Sequence, residues 1–418
     1  MDSDTNTHLI SLENLLRDLA DALTRRDLIA AADLNSHIEQ RLFEAWAKLV
    51  LMLLYLFSAE ELREQLEAAA LVNDATEPVG EVSTEGELGA TEPQAVEYPV
   101  WFATTRGSLG DGKEGFSGAR GTTTTYGTVH VVIPMATRFG ESGVSWFQRL
   151  VRIDLRDAAI RVRKTVVQDR LRFFEELREN LQPEGNRAKE VLVFIHGFRT
   201  TFEQAAIRTA QIGRDLGLPV NTAGFFSWPS QGSLQAYTSD EAAIEGSEGA
   251  LAGFLVDMVR ESGASKVHLV VHSMGNRGLL RALQRIAASA ETSVRFGQIF
   301  LAAADLDRDL FLDLAHLYPR HAERTTLYTS RTDLAVYASS RIHSAPRVGL
   351  FDPVTRAEGI DTVCVPDFNV DLLGHSYCAQ AEALLSDMGT LLRTNQAPPR
   401  QRIEEVDDLQ QVYWRFRR

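Results

Sequence analysis

Apolar residues recur at three- and four-residue spacing along residues 8–72, which is the pattern of amphipathic helices. The face of the first helix is formed by Leu9, Leu12, Leu16, Leu19 and Leu23. A second helix leads into the continuous apolar run Leu49–Phe57, which is too short to cross a bilayer because a span takes ~20 residues. We predict an all-helical interaction segment over residues 1–72. Residues 45–57 would either pack in a bundle or self-associate, giving a homo-oligomer, or contact a membrane without spanning it.

Residues 73–98 lose this periodicity and become acidic. Their acidic residues, with no Lys or Arg among them, are Asp74, Glu77, Glu81, Glu85, Glu87, Glu92 and Glu97. Low hydrophobicity combined with charge of one sign is typical of a solvated, flexible linker. We therefore predict a domain boundary here.

From residue 99 onwards, short runs rich in β-branched and aromatic residues predict strands. Val100–Arg106 is predicted as an edge strand, followed by strands Tyr126–Pro134 and Ile160–Val167 and a helix over 169–181. The remaining predicted strands are 191–195, 223–227, 266–272, 298–304, 325–330 and 362–365, and the helices between and after them are 203–216, 239–262, 277–286, 308–318 and 376–393. This alternation predicts an α/β domain over 99–395, with a mostly parallel sheet and helices on both faces. Residues 396–418 read as a charged C-terminal tail.

Length, charge and cysteine content narrow the function classes. The chain has 418 residues and a formal net charge of -14, which argues against nucleic acid as a partner because no basic stripe offsets the acidic charge. Only two cysteines occur, Cys364 and Cys378, which favours a reducing compartment over a disulfide framework. The acidic N-terminus lacks the basic start and apolar core of a secretion signal, so we expect a cytoplasmic protein.

The strongest chemical signal is Ser273, which follows the apolar strand 266–272 and precedes a helix in His272-Ser273-Met274-Gly275-Asn276. A serine at a tight strand-to-helix turn is the context of a hydrolase nucleophile, because the turn strains its backbone and exposes its hydroxyl. A serine that only caps a buried helix is the simpler alternative. One position departs from the pattern, since Val271 stands where a small residue is usual.

A serine nucleophile needs a base and an acid, and the sheet restricts both to loops after later strands. His375 follows the final predicted strand and is the candidate base, with His343 as the nearby competitor. Asp333 follows the penultimate strand and is the candidate acid. Asp305 follows the strand before it and is the alternative acid. The one that is not the acid would act as a helix N-cap.

Two backbone amides are expected to bind the oxyanion. Met274 directly follows the nucleophile, and Phe198 lies in the loop after the strand that ends at Ile195. Trp228 and Tyr237 are candidate walls of an acyl pocket, although either could be ordinary core.

No cofactor and no metal are predicted. Gly110-x-Gly112-x-x-Gly115 matches a dinucleotide fingerprint in letters only, because no strand leads in and no helix follows. The histidines are scattered, and neither cysteine belongs to a pair with metal-ligand spacing.

Residues 99–393 resemble the α/β-hydrolase superfamily, and more narrowly a bacterial esterase/lipase-like branch of largely unknown function. The stretches that carry the resemblance are Trp101–Arg106, Tyr126–Val129, His196–Phe198, Phe226–Ser230, His272–Asn276, Tyr328–Asp333 and Gly374–Ser376. The resemblance implies an α/β-hydrolase fold and a triad of Ser273, Asp333 and His375.

These observations predict a serine hydrolase that cleaves small-molecule or lipid esters, of the esterase or lipase kind. The alternative from another class is a catalytically idle hydrolase scaffold or interaction protein, assembled through its N-terminal helices. An intermediate hypothesis makes those helices regulators of a working esterase, by oligomerising it or by presenting it to a membrane.

Overall fold

The structure is a computed structural model that describes residues 95–110, 114–134, 160–181, 189–233, 236–289, 293–331, 333–365, 375–400, 402–408 and 411–416. All of these residues belong to one compact unit, Thr91–Arg418. The predicted helical segment 1–72, including residues 45–57 with their predicted membrane contact and self-association, lies outside the described residues. So does the predicted linker as far as residue 94. None of the described helices is both long and apolar enough to span a bilayer.

Strands and helices alternate through most of the described chain. The strands are β1 (Ala95–Ser108), β2 (Phe116–Pro134), β3 (Arg161–Gln168), β4 (Glu190–Ile195), β5 (Ala223–Ser227), β6 (Lys266–His272), β7 (Phe296–Ala302), β8 (Ala322–Ser330), β9 (Ile360–Val365), β10 (Ile403–Asp408) and β11 (Gln411–Phe416). The helices are α1 (Arg170–Asn180), α2 (Phe202–Asp215), α3 (Tyr237–Gly246), α4 (Glu248–Glu261), α5 (Gly275–Ala288), α6 (Arg308–Leu314), α7 (Leu317–His321), α8 (Leu334–His343) and α9 (His375–Thr394). The predicted single helix 239–262 is two helices that meet at Ser247, and α8 was not predicted.

The described strands form one mixed sheet in the order β10-β11-β9-β8-β7-β6-β4-β5-β1-β2-β3. Its centre, from β1 and β5 through β4 and β6 to β9 and β11, is parallel, whereas β1–β2–β3 and β10–β11 pair antiparallel. The prediction of β1 as an edge strand is wrong, because β1 lies between β5 and β2 and is buried through its centre. It also starts at Ala95, within the segment predicted as linker.

Two apolar layers cover the two faces of the sheet, as expected for parallel strands that are apolar along their whole length. One layer includes Phe254 of α4 and Leu279 and Leu283 of α5. The other includes Phe202 of α2 and Leu384 of α9. The helices that follow β4 and β6 therefore pack on opposite faces. The carboxyl ends of these two neighbouring strands form the switch point at which open α/β sheets bind ligands.

Part of the predicted C-terminal tail is integral to the sheet. Strand β11 pairs in parallel with β9 through Trp414 and Val363. In the residues leading to β10, the buried Arg400 donates to both oxygens of Asp387 on α9, with Nε–Oδ1 at 2.5 Å and Nη2–Oδ2 at 2.8 Å. The Tyr328 hydroxyl donates to the same carboxylate at 2.7 Å. This network fixes the C-terminal hairpin to α9, the helix that begins at His375.

Candidate functional site

Ser273 occupies a strained turn between β6 and α5. Its φ is +50°, in the left-handed region that costs a non-glycine residue roughly 1–2 kcal/mol. The turn is held on both sides, because Ser273 N donates to Ala302 O at 3.0 Å and Asp305 N donates to Ser273 O at 3.2 Å. Such strain persists only where the surroundings impose it, and it is the backbone expected of a nucleophile turn.

Val271 does not prevent this turn. Its side chain is buried in the apolar layer under α4 and α5, and its backbone stays in register with Ile195 and Leu301. The Asn276 side chain fastens the turn from the helix side, with Nδ2 donating to Ser273 O at 2.9 Å and to Val271 O at 3.3 Å. The glycine that the close packing requires is Gly275, where a Cβ would lie 2.6 Å from His196 O.

The loop after β4 lies directly against Ser273. A Cβ on Gly197 would lie 2.8 Å from Ser273 Cβ, so only glycine allows this approach. The predicted oxyanion donors flank this contact, Phe198 in the loop and Met274 after the serine. Neither amide donates a hydrogen bond to another described residue. Their assignment as oxyanion donors remains a prediction, and the geometry leaves both amides available.

A buried guanidinium supports this loop from behind. Arg106, at 2% exposure, donates from Nη2 to Thr200 O at 2.6 Å, from Nη1 to Ser230 O at 2.8 Å and from Nε to Ser227 Oγ at 2.7 Å. These bonds join the ends of β1, β4 and β5. Burial lowers the pKa of Arg106, and the negative charge of Asp240 opposes that shift.

Asp240 of α3 provides the matching negative charge. It accepts from Ser230 Oγ at 2.5 Å, from Gln231 N at 2.9 Å and from Arg199 N at 3.4 Å. Arg199 has φ +55°, so the loop is strained here as well. Burial raises the pKa of Asp240, and its hydrogen bonds from Ser230 and the backbone oppose this shift. Sequence reasoning missed both Arg106 and Asp240. For Arg106, the available signal was a charged residue shortly after the buried apolar run of β1, Val100–Ala103.

Trp228, predicted as a wall of the acyl pocket, is fully buried beside this loop. Its Nε1 donates to His196 O at 2.9 Å, and its ring stacks on the His196 imidazole with centroids 4.9 Å apart. Burial holds the pKa of His196 well below its usual range, and the nearby Arg106 charge adds to this effect. The described contacts of Trp228 and His196 are therefore those of loop supports, and a contact between Trp228 and substrate remains a prediction.

Asp333, the candidate acid, is buried at the start of the unpredicted helix α8. Its Oδ1 accepts from Ala335 N at 3.1 Å and from Val336 N at 3.0 Å, so it serves as the N-cap. Capping is the role expected of the aspartate that is not the acid, but both bonds go to Oδ1, so the cap leaves Oδ2 for a second interaction. Burial raises the pKa of Asp333 to about 6, and the charge of Asp305 contributes to the shift.

Asp305, the alternative acid, binds more partners. Its Oδ2 accepts from the Tyr237 hydroxyl at 2.6 Å, and its Oδ1 accepts from Ser339 Oγ at 2.5 Å and from Arg277 Nη2 at 3.4 Å. Tyr237, the other predicted pocket wall, thus uses its hydroxyl on Asp305, while its ring packs edge-on to Phe198 with centroids 5.1 Å apart. Tyr237 therefore lies next to the predicted oxyanion loop.

Of the two candidate bases, His375 is the first residue of α9, and its side chain and the preceding loop 366–374 lie outside the described residues. The competitor His343 ends α8, where its Nδ1 lies 2.9 Å from Ser339 O and its Nε2 lies 2.6 Å from Glu241 Oε1. Both ring nitrogens of His343 therefore have partners. In the part of the chain that the structure describes, no three His, Cys, Asp or Glu side chains group as metal ligands.

Comparison with known proteins gives a family and distant structural relatives. No curated protein matches the chain. An uncharacterized protein from Bacillus cereus ATCC 10987 is 12% identical, with a TM-score of 0.33 over 53% of this chain and 67% of its own. A hyperthermophilic esterase from the archaeon Pyrobaculum calidifontis is 10% identical, with a TM-score of 0.30 over 79% of this chain and 93% of its own. A bacterial heroin esterase is 12% identical, with a TM-score of 0.30 over 70% of this chain and 84% of its own.

The family comparison is more informative. A family described as "Alpha/beta hydrolase of unknown function (DUF900)" matches residues 172–394, which is more than half of the chain and contains Ser273, Asp333 and all of α9. This match confirms the resemblance to α/β-hydrolases and the predicted fold class of the sheet domain. The chain belongs to this α/β-hydrolase family of unknown function.

Proposed function

We propose that the protein is a serine hydrolase that cleaves carboxylic esters through an acyl-enzyme on Ser273. One observation carries the proposal: Ser273 has φ +50° at a strand-to-helix turn, with Gly197 packed against its Cβ. A serine that only caps a helix has no need of left-handed backbone, because capping residues normally have extended φ and ψ angles. The strain is better explained by a hydroxyl that must face a reacting atom.

The surrounding groups suit the chemistry of acyl transfer. The Ser273 oxygen attacks the ester carbonyl carbon while His375 takes its proton, and the Phe198 and Met274 amides donate to the oxygen that becomes negative. The intermediate collapses, the C–O bond to the alcohol breaks, and His375 returns the proton to the leaving alcohol. Water then attacks the acyl-enzyme by the same route, which releases the carboxylic acid and restores the Ser273 hydroxyl.

Asp333 is proposed to orient His375. Three features support this role: the carboxylate is buried, it follows β8, and its capping bonds use only Oδ1. A buried carboxylate beside a histidine fixes the ring tautomer and stabilises the imidazolium formed during attack. The family match supports a hydrolase in general, and the ester specificity rests on the site alone.

The test is labelling with a fluorophosphonate, detected by intact mass, because this reagent reports on nucleophile, base and oxyanion donors without requiring the natural substrate. The full-length chain should gain one adduct, and Ser273→Ala should gain none. A series of nitrophenyl esters of increasing acyl length would then define the substrate class. If the wild-type chain stays unmodified, the idle-scaffold hypothesis replaces this one.

A further inference from the structure

The end of β7 is attached to the nucleophile turn through the backbone. Ser273 N donates to Ala302 O and Asp305 N donates to Ser273 O, so the two segments hold each other at both sides of the serine. Ala303, between these contacts, has φ +47°, so the strained nucleophile faces a second strained residue. Strained residues persist only where the surroundings hold them, so both turns depend on contacts from neighbouring elements.

The Asp305 side chain provides such contacts. Asp305 is 3% exposed, and its carboxylate binds three elements: Tyr237 of α3, Arg277 of α5 and Ser339 of α8. Arg277 lies one helical turn after Ser273, and its Nε also donates to the backbone oxygen of Asp305 at 2.8 Å. The backbone oxygen and both carboxylate oxygens of Asp305 thus each accept at least one hydrogen bond.

The same carboxylate reaches the candidate acid through α8. Asp333 caps the N-terminus of α8, and Ser339, one and a half turns along that helix, donates to Asp305. Asp305 therefore joins the segment that carries the nucleophile to the helix whose first turn is held by Asp333.

The charged and titratable groups around Asp305 come from every neighbouring element. They are Tyr237 and Glu241 on α3, Arg277 on α5, His343 on α8, Arg347 and Asp333. Arg347 Nε lies 3.7 Å from Asp305 Oδ1, and the charge of Asp305 raises the pKa of Asp333. The Arg277 guanidinium also donates to Glu241. This arrangement keeps Asp305 next to positive charge, as a buried carboxylate requires.

We infer that Asp305 is a positioning residue, which locks the Ser273 turn to the Asp333-capped helix and does not itself orient the catalytic histidine. An acid that orients a histidine must offer a carboxylate oxygen to the imidazole. Both oxygens of Asp305 already accept from hydroxyl donors, and Oδ1 also accepts from Arg277, whereas the capping bonds of Asp333 use only Oδ1. The inference rests on the proposed serine chemistry. It separates the two aspartates that sequence position alone leaves as alternatives.

The experiment compares Asp305→Asn with Asp333→Asn by the rate of fluorophosphonate labelling and by the pH profile of nitrophenyl-ester kcat/KM. Asp333→Asn should lose about 10⁴-fold, the usual cost of a wrong histidine tautomer. Asp305→Asn should lose about 10²-fold, the scale of a 1 Å misplacement. Its acid limb should also move to lower pH, because removing a negative charge lowers the pKa of neighbouring groups. The exposed Asp309→Asn on α6 is the matched control and should label at the wild-type rate.

The outcomes are distinct. If Asp305→Asn loses about 10⁴-fold and Asp333→Asn less than about 10-fold, Asp305 is the orienting acid and the inference is overturned. It is equally overturned if Asp305→Asn keeps the wild-type rate and an unshifted acid limb. If Asp305→Asn fails to fold, Ser339→Ala and Tyr237→Phe replace it, because each removes one hydrogen-bond donor to Asp305. If both of these variants label at the wild-type rate, Asp305 is not a positioning residue. A wild-type chain that does not label contradicts the proposed function itself.

Discussion

Replacing Gly275 with alanine should slow the proposed reaction, although Gly275 supplies none of the proposed reacting groups. The added Cβ would lie 2.6 Å from His196 O and 3.0 Å from Ile195 O, both backbone atoms of the strand end and loop after β4. Ordinary contact begins at 3.4 Å, so α5 and this backbone must separate by roughly 0.8 Å. Because Met274 precedes Gly275 and Phe198 follows His196 by two residues, the two predicted oxyanion amides move apart.

The expected loss can be estimated from this displacement. A misplacement of about 1 Å, or the loss of one oxyanion donor, costs about 10²-fold or more in rate. Stability should also fall by about 1–2 kcal/mol, because overpacking costs about 1–3 kcal/mol and alanine recovers up to ~1 kcal/mol of helix propensity. Labelling kinetics with a fluorophosphonate and urea unfolding measure these two quantities separately.

Gly253 on α4 provides the matched control, because a Cβ there meets nothing within 4 Å. Gly253→Ala should leave the labelling rate unchanged and raise the free energy of unfolding by about 0.5–1 kcal/mol. If Gly275→Ala labels at the wild-type rate, the close approach of α5 to the loop after β4 does not set the oxyanion geometry.

Three further predictions concern buried residues around the site. The pKa of Asp333 rises on folding from 3.8 to about 6, so the folded state binds this proton more tightly and its contribution to stability falls as pH rises through that window. At ~1.4 kcal/mol per pKa unit, the free energy of unfolding of the wild type relative to Asp333→Asn should drop by about 2–2.5 kcal/mol between pH 4 and 7, measured in urea. A constant difference would contradict a raised pKa. Arg106→Met keeps a buried apolar side chain but leaves the carbonyl oxygens of Thr200 and Ser230 without their donor. The free energy of unfolding should fall by about 3–5 kcal/mol, and fluorophosphonate labelling should slow. An unchanged urea midpoint would show that the loop does not depend on Arg106. Val271→Ala should lower the free energy of unfolding by about 1–2 kcal/mol, because it removes buried methyl groups. The labelling rate should stay unchanged, because the turn at Ser273 forms with valine in place. Faster labelling would show that Val271 restrains this turn.

The sequence alone determined the elements whose signal is local. Periodicity located β4 to β9 and α2, α5 and α9 within a few residues, because a strand buried on both faces is apolar throughout and its helices carry one apolar face. Strand-turn-helix context also located Ser273 and the Gly197 loop, since the strand order of such a sheet restricts where a nucleophile and its oxyanion donors can lie. The break at Ser247 and helix α8 escaped because weak helical signals of ten residues or so depend on packing.

What only the tertiary structure decided is how buried polar groups are paired. Arg106 donates hydrogen bonds to Thr200 and Ser230, which are 94 and 124 residues away in the chain. Tyr237 donates to Asp305, which is 68 residues away. Asp305 and Asp333 look alike as strand-end aspartates in sequence, and their difference lies in donors contributed by three other elements. The same holds for β11, whose pairing with β9 brings a charged tail into the sheet. Hydrophobic periodicity is encoded between neighbours along the chain, whereas each buried charge or carbonyl is satisfied by whichever distant group the fold brings within hydrogen-bonding distance.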